Sequence, residues 1–290
     1  CGHDGHVAML LGTARMLIDR KDQFAGSVKL FFQPAEEGGG GALRMINDGA
    51  LDDLKPDAMF GIHLWNTRPV GTVNARVGAQ LVGGDGFTIT IHGKGGHGAL
   101  PNICIDPVVA AAGVITALQT VISRTNDPLN PGVLTVGTIH GGEASNVIPD
   151  TVTMGGTIRF VGQEQRMLMR KRLTEIAETT AAAYGARAEI DIEWGVMSTD
   201  NDPAMAALVQ ECAAQVVGRE NVSEGALLMV SEDMSEFLSR IPGCFFLVGS
   251  MNEERGLNWG HHTSRFDIDE ESLGIGIETM TRTVLTYLSR

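Results

Sequence analysis

The chain has 290 residues, enough for two domains, and its 43% hydrophobic content with 37 glycines describes a soluble, loop-rich globular protein. A net charge of −13 speaks against a nucleic-acid partner and suits a protein that binds cations. No signal-peptide pattern and no run of about 18 apolar residues stands out, so no membrane partner is expected.

In chain order, apolar residues at helical spacing from His6 to Arg20 predict a helix. Val28–Phe32 predicts a buried strand, Ala42–Asn47 a helix, and Ala58–Ile62 a short strand running straight into His63. Strand, helix and strand at this spacing imply a mostly parallel sheet covered by helices, with ligands collecting beyond the strand ends. Phe87–His92 alternates with period two, Ile105–Ser123 reads as a helix, and Val133–His140 and Val152–Phe160 read as strands. A helix over Glu164–Tyr184 and a strand over Ala188–Glu193 complete a β-α-β-β-α-β order, that of a ferredoxin-like sandwich. Helices over Pro203–Val217, Ser231–Arg240 (Ser231 as N-cap) and Asp269–Ser289 flank a buried strand, Cys244–Val248. The expected fold class is therefore α/β. A catalytic domain over 1–80 and 194–290 is interrupted by a lid over 81–193.

The chemistry centres on Gln33-Pro34-Ala35-Glu36-Glu37 and the four glycines that follow. Two adjacent carboxylates at a strand end need a compensating charge, and a bound metal ion is the simplest one; a solvated Glu pair in a surface loop is the competing reading. Cys1-Gly2-His3-Asp4-Gly5-His6 offers thiolate and imidazole, ligands suited to zinc and other first-row metals. Cys1 and His3, two apart in an extended segment, would point the same way. Cys1, His3, Glu37, His63 and His262 would supply five ligands for two ions, leaving Glu36 to move protons. In the lid, His97 on a glycine-flanked loop suits a donor to a carbonyl oxygen, and Arg159 suits a bidentate grip on a carboxylate. Asn146 frames the neighbouring strand, and a turn-forming role serves it equally. The Gly93–Gly98 stretch lacks phosphate-loop spacing. The cysteines (Cys1, Cys104, Cys212, Cys244) form no CxxC pair, and the last three read as reduced, mostly buried thiols of a cytoplasmic protein.

CGHDGH, QPAEEGGGGA, GIHLWNTRPVG, GKGGHGALPNICIDP, ASNVIPD, GTIR, SEDMSEF and HHTSRFDID occur in that order. Together they resemble the metal-dependent amidohydrolases that include hippurate hydrolase, N-acyl-amino-acid amidohydrolases and indole-acetyl-amino-acid hydrolases. The resemblance implies two divalent ions, manganese or zinc with cobalt or nickel as alternatives, held by Cys1, His3, Glu37, His63 and His262. His261 is the second choice to His262. It implies Glu36 as general base, His97 at the substrate carbonyl, and Asn146 and Arg159 at the substrate carboxylate. It further implies an N-acyl amino acid as substrate and a homodimer formed through the lid. Family members carry a segment ahead of Cys-Gly-His that builds part of the catalytic sheet; a chain without it is expected to expose apolar edge and face.

Two other readings stay open on the sequence. A relative of this family could dimerise and bind metal or ligand without turnover. Cys1 could instead serve as an N-terminal nucleophile with its own amine as base.

Overall fold

The computed structural model describes residues 1–289 and divides into two compact units. Unit 1 comprises Cys1–Leu81, Thr199–Leu228 and the chain from Glu232 onward; unit 2 comprises Val82–Ser198 and Met229–Ser231. Unit 1 opens with α1 (His3–Ile18), the single turn α2 (Glu36–Gly39), α3 (Gly41–Asn47), β1 (Met59–Pro69), β2 (Val73–Asn74) and β3 (Gly78–Leu81). Unit 2 follows with β4 (Gly83–His92), β5 (Gly96–His97), α4 (Pro107–Leu118), β6 (Val133–His140), β7 (Val147–Ile148), β8 (Thr151–Phe160), α5 (Gly162–Ala183) and β9 (Arg187–Val196). The chain returns to unit 1 through β10 (Thr199–Asn201), α6 (Pro203–Val217), β11 (Val222–Ser223), α7 (Ser235–Leu238), β12 (Gly243–Met251) and α8 (Glu271–Leu288).

The main sheet of unit 1 has the order β1-β12-β2-β11. β1 runs parallel to β12, from Met59 opposite Gly243 to Trp65 opposite Gly249, whereas β12 and β2 are antiparallel. The sheet is therefore mixed. β12 is buried along Gly243–Ser250, which explains its unbroken apolar sequence. Leu64, Val248 and Phe246 from the strands meet Met9 of α1, Val209 of α6 and Met280 of α8 in one core. Close approach of α1 to β1 depends on Gly5, where a Cβ would stand 2.7 Å from Leu64 Cδ1.

Three expectations change here. Val28–Phe32 forms no strand, and Val28, Leu30 and Phe32 are exposed. A strand needs a ladder, and this segment has no paired neighbour among the described residues: it lines a cavity of about 700 Å³ that Phe60 and Ile62 of β1 also line. Lys29 Nζ instead donates to the carbonyls of Ala50 and Asp53. His63 lies inside β1, which continues to Pro69, rather than at a strand end. The helix expected from Ser231 shrinks to the single turn α7, and Glu232–Met234 form the turn that leads into it, with Ser235 N donating to the Glu232 carbonyl. Apolar surface is exposed in unit 1, at Val7, Leu11 and Ile18 of α1 as well as on the unpaired segment.

Unit 2 is a four-stranded antiparallel sheet of order β6-β8-β4-β9. Phe87, Ile89 and Ile91 of β4 alternate inward and meet both α4 and α5, through Val114, Leu118, Leu173 and Ala177. Asp85 is buried under the guanidiniums of Arg166 and Arg170 and also accepts from Gly195 N. By length and composition, Pro107–Thr125 is apolar enough to cross a membrane, against the sequence expectation. In the structure its inner face, Ala110, Ala111, Val114, Leu118 and Val121, belongs to the core of unit 2.

Candidate metal centre

Four backbone segments of unit 1 converge on one cluster. Cys1 and His3 sit at the N-terminus of α1, where Gly2 adopts a left-handed φ of 78°; they are not in the extended segment expected. His63 comes from β1, and His262 from the loop between β12 and α8, with a positive φ of 61°. Glu36 and Glu37 form the turn α2.

Ligand-type atoms of Cys1, His3 and His63 lie within 4.8 Å of one another, as do those of Cys1, Glu37 and His262, and those of His3, Glu36 and Glu37. Glu37 Oε1 is 3.7 Å from His3 Nε2 and 3.6 Å from His262 Nε2. Glu36 Oε2 is 3.9 Å from His3 Nε2. The structure thus brings together all five expected ligands and Glu36.

Hydrogen bonds decide which imidazoles keep a free lone pair. His63 Nδ1 donates to the carbonyl of Leu64, which leaves Nε2 available. His6 Nε2 accepts from Leu64 N at 3.0 Å, and its ring packs 4.2 Å from that of His63. His261 Nε2 accepts from Asn66 N at 3.1 Å, and its ring stacks on Trp65 and Phe266. His6 and His261 have therefore committed a lone pair to backbone N–H groups, whereas His262 presents an exposed ring to Glu37. His6, where the expected helix begins, lies in the first turns of α1 and braces β1.

Burial holds His63 uncharged, its pKa lowered to about 3, and lowers His6 to about 2, with the neighbouring histidines adding to the effect. His261 falls to about 4, again chiefly through burial. Neutral imidazoles are the form that binds metal. Glu36 moves the other way: burial, then the carboxylates of Asp233 and Glu37, push its pKa up to about 7. A thiol, three imidazoles with open lone pairs and a carboxylate suit a pair of divalent first-row ions, so the residues present fit such a group.

The Glu36–Glu37 turn is tight. Ala35 is left-handed at φ 55°, and its carbonyl accepts from both Gly39 N and Gly41 N. A Cβ on Gly41 would stand 1.6 Å from Pro34 O, so only glycine closes this loop.

Sequence reasoning missed two acidic side chains beside this turn. Asp233 is 3% exposed; its Oδ1 accepts from Gln33 Nε2 at 2.6 Å and its Oδ2 from Ala42 N at 3.0 Å. Glu232 is also buried, and burial together with Glu36 raises its pKa to about 8. The only signal was the acidic pair inside SEDMSEF, which has the look of a solvated turn.

The remaining expected residues belong to unit 2. His97 on β5 is exposed, and its Nδ1 accepts from Ala99 N at 3.1 Å, so the ring carries its proton on Nε2. β5 pairs with β7, and Gly98 N donates to the Asn146 carbonyl at 2.8 Å, which places His97 and Asn146 on adjoining segments. Arg159 lies on β8 opposite Gly84, and its guanidinium donates to Ser231 Oγ. Cys212 and Cys244 are buried and Cys104 is half-buried; none of the four cysteines is in a disulfide.

A family model described as Peptidase family M20/M25/M40 matches residues 1–286. The IAA-amino acid hydrolase ILR1-like 4 of Arabidopsis thaliana is 39% identical over 292 residues, covering 99% of this chain and 66% of its own. The N-acetyl-L-cysteine deacetylase of Bacillus subtilis is 39% identical over 273 residues, covering 94% of this chain and 64% of its own. The chain thus spans about two thirds of the length of the curated relatives it matches. A crystal structure of the Bacillus subtilis YXEP protein, described as a dinuclear metal binding peptidase from the M20 family, superposes with a TM-score of 0.85. It is 31% identical and covers all of this chain and 73% of its own.

Proposed function

The chain belongs to peptidase family M20/M25/M40, and on that premise we propose that it is a two-metal hydrolase of the amide bond in N-acyl amino acids. The observation that carries the reading is the convergence of Cys1, His3, Glu37, His63 and His262 on one cluster with Glu36 beside it. A dinuclear metal binding relative and relatives acting on amino-acid conjugates support it. Bound there, two divalent ions (manganese or zinc) would polarise the substrate carbonyl and make water nucleophilic near neutral pH.

The chain's own residues do the rest. His63, its Nδ1 tied to Leu64, holds one fixed direction for its lone pair, and burial keeps it neutral. Glu36 is half-buried with its pKa raised toward neutrality, so it takes a proton from the attacking water and returns it to the leaving nitrogen. Its near neighbour Glu37 stays in place between His3 and His262. In unit 2, His97 presents Nε2–H as donor to the substrate carbonyl oxygen, and Asn146 and Arg159 receive the substrate carboxylate. We read unit 2 as a ferredoxin-like lid that also forms a homodimer, in keeping with its β-α-β-β-α-β order.

The test is metal-dependent hydrolysis of hippurate and N-acetyl-L-amino acids. Chelation should abolish turnover, and manganese or zinc should restore it. Full activity in a metal-free sample would overturn the reading. Bound metal with no turnover on a broad panel would favour a non-catalytic relative. Loss of activity to thiol alkylation without metal rescue would favour a Cys1 nucleophile.

A further inference from the structure

Nothing in the chemistry above uses Asp233, yet it is among the most buried carboxyls of unit 1. It sits at the polar turn that precedes α7, where its own carbonyl accepts from Glu236 N at 2.9 Å. Its two oxygens have separate partners. Oδ1 takes the Gln33 side-chain amide at 2.6 Å, and Oδ2 takes the backbone N–H of Ala42 at 3.0 Å. Gln33 is the residue just before the turn that carries Glu36 and Glu37, and Ala42 is the residue just after it.

We propose that Asp233 is a positioning residue: its carboxylate clamps both ends of the Pro34–Gly41 loop and so fixes Glu36 and Glu37 relative to His3 and His262. The inference rests on the two-metal reading for its consequence, but the clamp itself is a property of the chain alone. The loop needs such a clamp. Ala35 is held at φ 55°, a region that disfavours a side chain, and Gly38 and Gly40 are left-handed as well, at φ 90° and 62°. Internal bonds to the Ala35 carbonyl close the loop but do not anchor it to the rest of unit 1. Glu36 and Glu37 open only a single four-residue turn, whose φ/ψ angles depart from helical at Glu37 and Gly38. The anchor is buried and charge-assisted, the class of hydrogen bond whose loss is most felt. Ala42 N is itself buried, so without Asp233 it would lose the acceptor it has in the fold.

The test uses the full chain in four variants: Asp233→Ala, Asp233→Asn, Asp233→Leu and Gln33→Ala. Asn keeps an oxygen for Ala42 N, and its amide can face a flipped Gln33. Hydrogen exchange of the metal-free chain reads the clamp directly, and titration with Mn²⁺ reads its consequence. In Asp233→Ala, the amides of Gly39, Gly41 and Ala42 should exchange about tenfold faster or more, the loss expected for one buried charge-assisted bond. Amides in β1 and β12 should keep their protection. Mn²⁺ affinity should fall by a factor of about 10–100, the usual cost of losing a group that orients a ligand. Asp233→Asn should restore most of both, because it keeps an acceptor for Ala42 N, whereas Asp233→Leu, of similar bulk without an acceptor, should not, which separates the clamp from a space-filling role. Gln33→Ala, which removes one arm only, should fall between parent and Asp233→Ala and serves if that variant does not fold. Parent-like exchange at 39–42 in Asp233→Ala, or in Gln33→Ala should Asp233→Ala fail to fold, overturns the clamp. Faster exchange with unchanged Mn²⁺ affinity keeps the clamp as a loop anchor and overturns the positioning of Glu37. If the parent chain hydrolyses none of the N-acyl amino acids, the functional reading fails while the exchange result still decides the clamp.

Discussion

The candidate centre has a buried side and an open side, and they are built differently. On the buried side His63 is a β1 residue only 7% exposed, its ring packed against His6 and its Nδ1 bound to Leu64. On the open side Glu37 and His262 are exposed, and each sits on an irregular loop containing left-handed backbone. The buried side is fixed by the same packing that forms the core, so its geometry comes with folding. The open side depends on a few polar anchors and special backbone angles. A ligand on the first side is coupled to stability; a ligand on the second is coupled mainly to binding.

The largest effect that can break this contrast is expected from His63→Ala. It removes a ligand, frees the Leu64 carbonyl inside the sheet and leaves a void beside His6. Metal analysis should find less than two ions per chain, and denaturant unfolding should show a loss of about 2–3 kcal/mol. A variant as stable as the parent would mean that His63 is not part of the core.

Acid should act on the same side. His63 and His6 have folded-state pKa values of about 3 and 2, below the ordinary 6.5. At these two groups the unfolded chain binds more protons between those values and 6.5, so their contribution to stability is complete above pH 6.5 and falls as pH drops, while Glu36 and Glu232, raised to about 7 and 8, contribute with the opposite sign. The stability difference between the metal-free parent and His63→Ala isolates the histidine, and it should shrink by on the order of 1 kcal/mol per pH unit between pH 6.5 and 5. A difference that does not change with pH would contradict a buried, neutral His63.

His262→Ala should move stability least. The side chain is 69% exposed, so denaturant unfolding should stay within about 0.5 kcal/mol of the parent. Mn²⁺ affinity should nevertheless drop by about tenfold or more. Equal stability losses for His63→Ala and His262→Ala would erase the distinction between the two sides.

What the sequence revealed follows the same division. Residues whose type alone carries chemistry, such as Cys1, His3, Glu36, Glu37, His63 and His262, are legible in the sequence at both ends of the chain. The alternation in Phe87–His92 and the helical spacing of Pro203–Val217 translated directly into β4 and α6. Val28–Phe32 did not, although its composition resembles that of β1. β1 has β12 to pair with along Met59–Trp65, and the other segment has no ladder, so propensity without a partner gave an extended, exposed stretch. His63 lies in a strand interior rather than at a strand end because β1 runs on past the apolar stretch, through Trp65 and Asn66 to Pro69. Asp233 was invisible because its partners, a side chain 200 positions away and a backbone N–H, leave no local pattern. Motif spacing favours His262 over His261. The structure adds a physical ground, since His261 has already given its Nε2 lone pair to Asn66 N.

The central claim is that Glu36 moves the proton while its neighbours hold the metal, and Glu36→Gln tests it most directly. Gln keeps the shape and loses the base. Metal content and hydrolysis of N-acyl amino acids should be measured side by side on parent and variant. The account predicts two divalent ions per chain in both, with kcat in the variant reduced by roughly 10²–10⁴-fold. Parent-like turnover in Glu36→Gln with its metal intact would contradict it.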